Sequence, residues 1–137
     1  TLYLADAFSI AKQFKAEKKY FDAIITDPPY NISKENNFST LTHPRKGVDF
    51  GHWDNNFDVC KWIDDYVEML KPNGCIIVFC SYLYISFLIE ELKKHYIDVK
   101  DVLVWKKSNP MPRNINRRYV QDMEFAIWGV KKNAMGI

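Results

Sequence analysis

The stretch Ile24-Ile25-Thr26-Asp27-Pro28-Pro29-Tyr30-Asn31 organises the rest of this 137-residue chain. The apolar residues 23–25 predict a short buried strand, which the two prolines end abruptly. Proline fixes its own φ and favours an extended conformation in the preceding residue, so Asp27 is expected at the carboxyl end of that strand. Ligands of open α/β sheets bind in the crevice beyond such strand ends. The stretch therefore predicts a site where a carboxylate, two rigid residues and an aromatic ring meet.

This arrangement suits a planar ligand that carries an amino group. Neither proline has a backbone N–H, so the carbonyl groups there face no competing donor. Asp27 and the Pro28 carbonyl would accept the hydrogens of the amino group, while the Tyr30 ring stacks on the ligand plane. A strand that ends in Asp-Pro is also an ordinary turn, and these four residues alone leave both interpretations open.

Asp27-Pro28-Pro29-Tyr30 followed by Asn31 resembles the catalytic motif of the DNA amino-methyltransferases, which methylate adenine N6 or cytosine N4 with S-adenosyl-L-methionine. The resemblance implies that Asp27, Pro28, Pro29 and Tyr30 are catalytic, that Asp27 also lies against the cofactor, and that Asn31 contacts DNA. Asp at the first motif position resembles the adenine-N6 branch more than the cytosine-N4 branch. No Pro-Cys motif is present to supply the nucleophile that methylation of a cytosine ring carbon requires.

The start of the chain carries a second acidic motif. Residues 2–4 predict a strand, and the apolar spacing over 8–14 predicts a short amphipathic helix. Asp6-Ala7-Phe8 resembles the family's acidic motif, which implies that Asp6, Ala7 and Phe8 bind the cofactor and that Asp6 accepts from its adenine amine. The alternative is that Asp6 only caps the helix, as Asp often does. Both roles fit one residue only if the side chain is shared.

Positive charge is concentrated between the last two predicted strands. The run from Trp105 to Pro110 resembles the family's Trp-x-Lys-x-Asn-Pro segment, which implies a lining for the target-base pocket that leads toward the DNA-recognition region. Independently of the resemblance, basic side chains on one loop can neutralise phosphates. The alternative is a solvated basic loop. With Asn31, the predicted DNA contacts are Lys107, Asn109, Arg113, Arg117 and Arg118.

The remaining pattern predicts alternating helices and strands. Helices are expected over 58–70 and 83–95, a turn over 71–74, and strands over 75–80, 97–105 and 124–130. The apolar run 75–80 predicts a strand buried on both faces. The alternation indicates an α/β fold whose mostly parallel sheet has helices on both faces. The last strand should be antiparallel to its neighbour, because the intervening stretch is too short for a helical crossover.

The resemblance implies that this fold is the Rossmann-like fold of S-adenosylmethionine-dependent methyltransferases, here incomplete. Residues 1–137 form the catalytic part of one domain, with a long loop over 31–56 that is expected to be a mobile lid. The family's Phe-x-Gly-x-Gly cofactor motif is absent, since the five glycines do not have its spacing. Without the strand that bears it, the Asp27 strand would be an exposed edge. We therefore expect further residues, a complementing C-terminal segment or a homodimer.

Composition excludes several classes of protein. The net charge of +2 creates no global field for nucleic acid, so any basic patch is local. The three cysteines lack metal-type spacing, and their odd number suits a reducing cytoplasm better than a disulfide scaffold. No apolar run reaches the length that spans a membrane. A cytoplasmic protein without a metal site is expected.

The resulting functional hypothesis is a site-specific methyltransferase of a restriction-modification system. It would use S-adenosyl-L-methionine to methylate N6 of an adenine flipped out of double-stranded DNA. One alternative keeps the chemistry but changes the target to cytosine N4, RNA or a protein amide. Another alternative is an inactive fragment that binds nucleic acid without turnover.

Overall fold

The computed structural model describes residues 1–29, 58–109 and 122–132. Within these ranges the helices and strands follow one another in the order α1 (Ala7–Ala16), β1 (Phe21–Thr26), α2 (Val59–Glu68), β2 (Leu70–Cys80), a 3₁₀ turn (Tyr82–Tyr84), α3 (Ile85–Lys94), β3 (Ile97–Lys106) and β4 (Met123–Lys131). None of the helices in these ranges is long and apolar enough to cross a membrane. The predicted helices and the three later strands are confirmed, with shifts at their ends.

The four strands form one sheet in the order β1-β2-β4-β3. Strands β1 and β2 are parallel, whereas β4 is antiparallel to both of its neighbours. The antiparallel last pair is therefore as predicted. The ends of β1, β2 and β3 and the beginning of β4 meet at one side of the sheet, which we call the carboxyl edge. It lies just beyond Thr26, Cys80 and Lys106 and just before Met123.

One face of the sheet carries the core. Ile76, Val78 and Cys80 of β2 pack with Ile127 of β4 against buried side chains of α2 and α3. Helix α1 joins this layer beside α2 through a second cluster of Ala11, Phe14 and Met69. The described helices thus pack on one face, and the prediction of helices on both faces is not met within the described ranges.

The opposite face, called here the second face, bears Ile25, Ile77 and Trp128 in register across β1, β2 and β4. Burial alternates along β2, so the prediction that 75–80 is buried on both faces is wrong. Although the run is apolar throughout, Ile77 and its neighbours on the same face are only half-buried. Ile25 is 69% exposed, which makes the second face an apolar surface in the described part of the chain.

The turn predicted over 71–74 lies inside strand β2 as a bulge. Phe21 pairs with Leu70 and Ala23 with Cys75, so four residues of β2 stand against one of β1. Asn73 has φ 66°, a left-handed conformation that Asn tolerates better than most residues. Helix α2, which leads into this strand, begins after Asp58, whose carboxylate accepts from the Lys61 amide at 3.1 Å.

The strand predicted over 2–4 is wrong. These residues are extended without strand pairing, and both leucines are fully exposed. Tyr3 alone is anchored, with its ring edge-on to Phe14 at a centroid distance of 5.2 Å. A strand forms only where a neighbour satisfies its backbone groups, and none is paired with this segment in the described ranges.

Candidate active site

Asp27 lies directly beyond the last paired residue of β1. Thr26 pairs with Val78, and the chain then leaves the sheet at Asp27. Asp27 is exposed, whereas Pro28 is buried and Pro29 is half-buried. The two prolines thus pack more deeply than Asp27, which is exposed at the carboxyl edge. Tyr30 and Asn31 lie outside the described residues, so their roles stay predictions.

Asp27 is electrostatically coupled to the end of β2. Burial of the Cys80 thiol, and secondly the negative charge of Asp27, raise the pKa of Cys80 from 9.0 to about 11. The thiol is therefore protonated at neutral pH and is no nucleophile. This coupling between β1 and β2 was missed in the sequence, because Asp27 and Cys80 are far apart along the chain.

Asp6 caps helix α1. Its Oδ2 accepts from the backbone N–H of Phe8 at 3.1 Å and of Ser9 at 3.0 Å, and from the Ser9 hydroxyl at 3.2 Å. The capping interpretation is thus correct for Oδ2. Oδ1 accepts no hydrogen bond from the described part of the chain, and the residue is exposed. The carboxylate can therefore cap the helix with one oxygen and accept from a ligand with the other.

The first turn of α1 is held against α2. The Tyr66 hydroxyl donates to the Ala7 carbonyl at 2.6 Å, and the Lys61 ammonium lies 5.0 Å from the centre of the Phe8 ring. Burial, and then the charges of Asp6 and Asp65, raise the pKa of Tyr66, which keeps this donor protonated. Ala7 and Phe8 also pack against the core, so their predicted cofactor contacts stay predictions. The Tyr66 bond has no signal in the sequence because it joins residues 59 positions apart.

The β3 and β4 strands meet at the carboxyl edge through a charged cluster. The Lys107 ammonium lies 2.6 Å from Glu124 Oε1, and the Lys107 amide donates to the Asp122 carbonyl at 2.6 Å. The same ammonium lies 5.5 Å from the centre of the Trp105 ring. The Lys107 charge is thus paired within the protein but partly exposed, and its predicted contact with DNA stays a prediction. Asn109 is exposed, while Arg113, Arg117 and Arg118 lie outside the described residues.

Comparison with known proteins identifies the family. A family model described as DNA methylase (N6/N4) matches residues 21–135. The Type II methyltransferase M2.DpnII of Streptococcus pneumoniae is 29% identical over 136 residues, covering 94% of this chain and 50% of the relative. M2.MboI of Moraxella bovis is 28% identical over 120 residues, covering 80% of this chain and 42% of the relative.

The solved structures agree with the sequence comparisons. The complex of M1.HpyAVI with SAM has a TM-score of 0.73 and 44% sequence identity, and the match covers 98% of this chain and 54% of the other. The α/β methyltransferase fold predicted from the sequence is thereby confirmed. The chain contains only part of that fold, since it spans about half the length of the relatives it matches. The family match over most of the chain establishes that this chain belongs to the N6/N4 DNA methylase family.

Proposed function

We propose that the protein transfers a methyl group from S-adenosyl-L-methionine to N6 of adenine in double-stranded DNA, as the methyltransferase of a restriction-modification system. The observation that carries the proposal is the exposed residue Asp27 directly beyond β1, followed by the buried Pro28. The relatives M2.DpnII and M2.MboI are Type II methyltransferases, which supports the biological setting. Asp at the first motif position favours adenine over cytosine.

The residues present fit the cofactor. S-adenosyl-L-methionine brings a methyl group on a positively charged sulfur, together with an adenine amine. The exposed carboxylates of Asp6 and Asp27 are acceptors of the kind that amines and cations require. Asp6 has an oxygen that the helix cap leaves available to an amine. M1.HpyAVI, which is 44% identical to this chain over a match that covers 54% of its length, was solved as a complex with SAM.

Asp27 and the Pro28 carbonyl act on the target nitrogen. The lone pair of that amine is delocalised into the base, so acceptors for both hydrogens favour the tetrahedral geometry that methylation needs. The nitrogen gains a methyl group and loses one proton to solvent. Asp27 stabilises the positive charge that grows on nitrogen in between, as a preorganised acceptor and not as a strong base. Because the Cys80 thiol stays protonated, it adds no second negative charge beside Asp27.

The base reaches this site only when it leaves the helix. An exocyclic amine cannot be attacked in the stack, so the adenine is flipped out of the duplex. Tyr30 stacks on the flipped base, a contact worth about 1–3 kcal/mol. The residues that contact the DNA around it are Asn31, Lys107, Asn109, Arg113, Arg117 and Arg118, with the basic side chains on phosphates. The basic residues are local, in keeping with the net charge of only +2.

A complementing segment completes the site. The chain spans about half the length of its relatives, and it lacks the glycine motif of the family. The second face and the outer edge of β1 offer that segment an apolar surface, on which Ile25 is the most exposed large apolar residue of the described strands. The isolated 137-residue segment should therefore bind S-adenosyl-L-methionine weakly. Tight binding by the isolated monomer would contradict this, and binding only as a dimer would make a second copy the complement.

Methyl transfer by the full-length protein tests the function. Unmethylated bacterial DNA is incubated with methyl-labelled S-adenosyl-L-methionine, and the labelled nucleosides are separated. Asp27→Ala should lower the rate by about 100-fold or more, the usual effect of removing one preorganised charge-stabilising group. Asp22→Ala is the matched control, because Asp22 lies at the other end of β1 and pairs there with Lys71 at 3.1 Å.

The outcomes separate the hypotheses. Label in N6-methyladenine that is lost in Asp27→Ala and retained in Asp22→Ala supports the proposal. Label in N4-methylcytosine or in RNA would show that the chemistry is as proposed but that the target is cytosine N4 or RNA. DNA binding without label indicates a fragment that binds only. Full activity of Asp27→Ala would remove the mechanism altogether.

A further inference from the structure

Helices α1 and α2 lie side by side and run in the same direction. Near their beginnings the Lys61 ammonium lies 5.0 Å from the centre of the Phe8 ring, and near their ends the Lys15 ammonium pairs with Glu68 at 3.1 Å. Helix α2 packs on the sheet, and β2 begins almost directly after it. Since β2 ends at the carboxyl edge, both helices begin toward that edge. Asp6, which precedes α1, is thus brought to the edge of the sheet at which β1 ends.

The two carboxylate oxygens of Asp6 have different surroundings. Oδ2 accepts from the backbone N–H of Phe8 at 3.1 Å, and from the N–H and the hydroxyl of Ser9 at 3.0 and 3.2 Å. Oδ1 accepts no hydrogen bond from the described part of the chain. The helix cap therefore sets the carboxylate relative to α1 and leaves Oδ1 to a ligand. Where Oδ1 lies relative to the sheet depends on what holds the first turn of α1.

A hydrogen bond from α2 holds that first turn. The Tyr66 hydroxyl donates to the Ala7 carbonyl at 2.6 Å. The Tyr66 ring stacks on the buried Trp62, with centroids 5.2 Å and planes 21° apart, so the position of the donor is itself fixed by packing. After burial, the charge of Asp6 contributes to the raised pKa of Tyr66, so the hydroxyl lies close to that carboxylate.

We propose that Tyr66 is a positioning residue for the cofactor, because its bond to Ala7 places Oδ1 of Asp6 where it accepts from the adenine amine of S-adenosyl-L-methionine. This inference rests on the proposed function, since it needs that cofactor as the ligand. A hydrogen bond weakens steeply when its distance or angle changes. A first turn that is no longer held by Tyr66 therefore loses the bond to the amine, whereas contacts with the rest of the cofactor are kept.

Two ligands separate this role from a purely structural one. The full-length protein is titrated by calorimetry with S-adenosyl-L-homocysteine and with the analogue that has hydrogen in place of the purine amino group. The wild type should bind the ligand with the amine more tightly by about 10-fold or more, the usual effect of a hydrogen bond to a charged group. Asp6→Asn should lower this ratio to about 2-fold or less, since Asn still caps the helix but lacks the charge.

Tyr66→Phe should lower the same ratio of affinities. Binding of the ligand with the amine should weaken by about 3- to 10-fold and that of the analogue by less than about 2-fold, and adding Tyr66→Phe to Asp6→Asn should not change the ratio further. An equal loss for both ligands, or a ratio equal to that of the wild type, would overturn the proposal. Lower stability does not imitate the effect, because unfolding removes binding-competent protein equally for both ligands.

Tyr3→Phe is the matched control. Its hydroxyl accepts from the Lys19 ammonium at 3.1 Å, and its ring lies against Phe14 in the second half of α1. The substitution therefore removes a phenol hydroxyl beside the same helix but away from the first turn, and the ratio of affinities should equal that of the wild type. A ratio that falls as far as in Tyr66→Phe would assign the effect to the helix as a whole and overturn the specific role of Tyr66.

Methyl transfer distinguishes failure of this inference from failure of the proposed function. Tyr66→Phe should raise KM for S-adenosyl-L-methionine by about 3- to 10-fold and leave kcat within about 2-fold of the wild type. An active wild-type enzyme that binds both ligands equally well overturns this inference alone. A wild-type protein that binds neither ligand and transfers no methyl group overturns both.

Discussion

Cys80 can be used to report the charge of Asp27. The thiol is 3% exposed at the end of β2, and its pKa is raised from 9.0 to about 11 by burial first and by Asp27 second. Because burial is the larger of the two causes, Asp27 accounts for less than half of a shift of about two pH units. Asp27→Asn should therefore lower the pKa of Cys80 by up to about 1 unit, which raises the thiolate fraction at pH 8 by up to about tenfold.

Alkylation kinetics measure this change. In a background where Cys60 and Cys75 are replaced by serine, the rate of reaction with iodoacetamide is followed from pH 7 to pH 10. The rate in urea corrects for intrinsic reactivity, and the free energy of unfolding of each variant corrects for differences in exposure of the buried thiol. Asp22→Asn, at the far end of β1, makes the same change of charge and should leave the rate unaltered.

The result that refutes the reasoning is an alkylation rate in Asp27→Asn equal to or below that of the parent. Such a result would mean that the Asp27 carboxylate does not lie beside the end of β2, and the geometry of the active site given above would be wrong.

The same shift has a consequence for stability. The unfolded thiol loses its proton around pH 9.0 and the folded thiol only around pH 11, so between these values the unfolded state binds fewer protons. Stability therefore falls as pH rises through this window, by at most about 2–3 kcal/mol. The difference in unfolding free energy between the wild type and Cys80→Ala isolates this contribution from those of other groups. A difference that does not change with pH would contradict the raised pKa.

Three further substitutions test the packing that supports the site. Gly74→Ala places a Cβ 2.8 Å from the Lys71 carbonyl oxygen in the β2 bulge and 2.9 Å from the Asp22 carbonyl oxygen of β1. Urea unfolding should therefore show a loss of about 1–3 kcal/mol, and an unchanged midpoint would mean that the bulge yields. Lys131→Met removes two hydrogen bonds of 2.8 Å that the ammonium donates to carbonyls at the end of α2. The free energy of unfolding should fall by about 1.5–3 kcal/mol, whereas a loss under about 0.5 kcal/mol would show that water replaces these bonds. Tyr66→Phe removes the 2.6 Å hydrogen bond to the first turn of α1. Thermal unfolding should show a loss of about 1 kcal/mol, and amide exchange in that turn should increase. Exchange equal to that of the parent would show that other contacts hold the turn.

Local patterns predicted most of the secondary structure. Helix α2 was readable because Asp58 is a good N-cap and because the apolar residues after it recur with helical spacing. The prolines after Asp27 predicted where β1 ends, since their effect on the backbone acts on adjacent residues. The strand predicted over 2–4 was wrong because it depended on residues that are not adjacent in the chain. Its apolar pattern is that of a strand, but strand formation depends on a neighbour that the pattern does not contain.

Short motifs also carried the prediction of family. The four residues from Asp27 to Tyr30 imply amine methylation through their resemblance to the family's catalytic motif. The motif is readable without any knowledge of the fold because its residues are adjacent in the chain. The comparisons confirm the family over residues 21–135. The roles of the individual site residues stay predictions that the experiments above test.

The sequence by itself determined that a carboxylate is held at the end of a strand, and to which protein family the chain belongs. Both could be read because capping, proline geometry, apolar spacing and short motifs depend on residues that are close along the chain. Only the tertiary structure decided that β4 is inserted between β2 and β3, that burial and then Asp27 raise the pKa of Cys80, and that Lys107 is paired with Glu124. These contacts join residues far apart in sequence, and their partners are selected by the way in which the whole sheet packs on its helices. A side chain's charge can be read from the sequence, but the group that neutralises it is set by the fold.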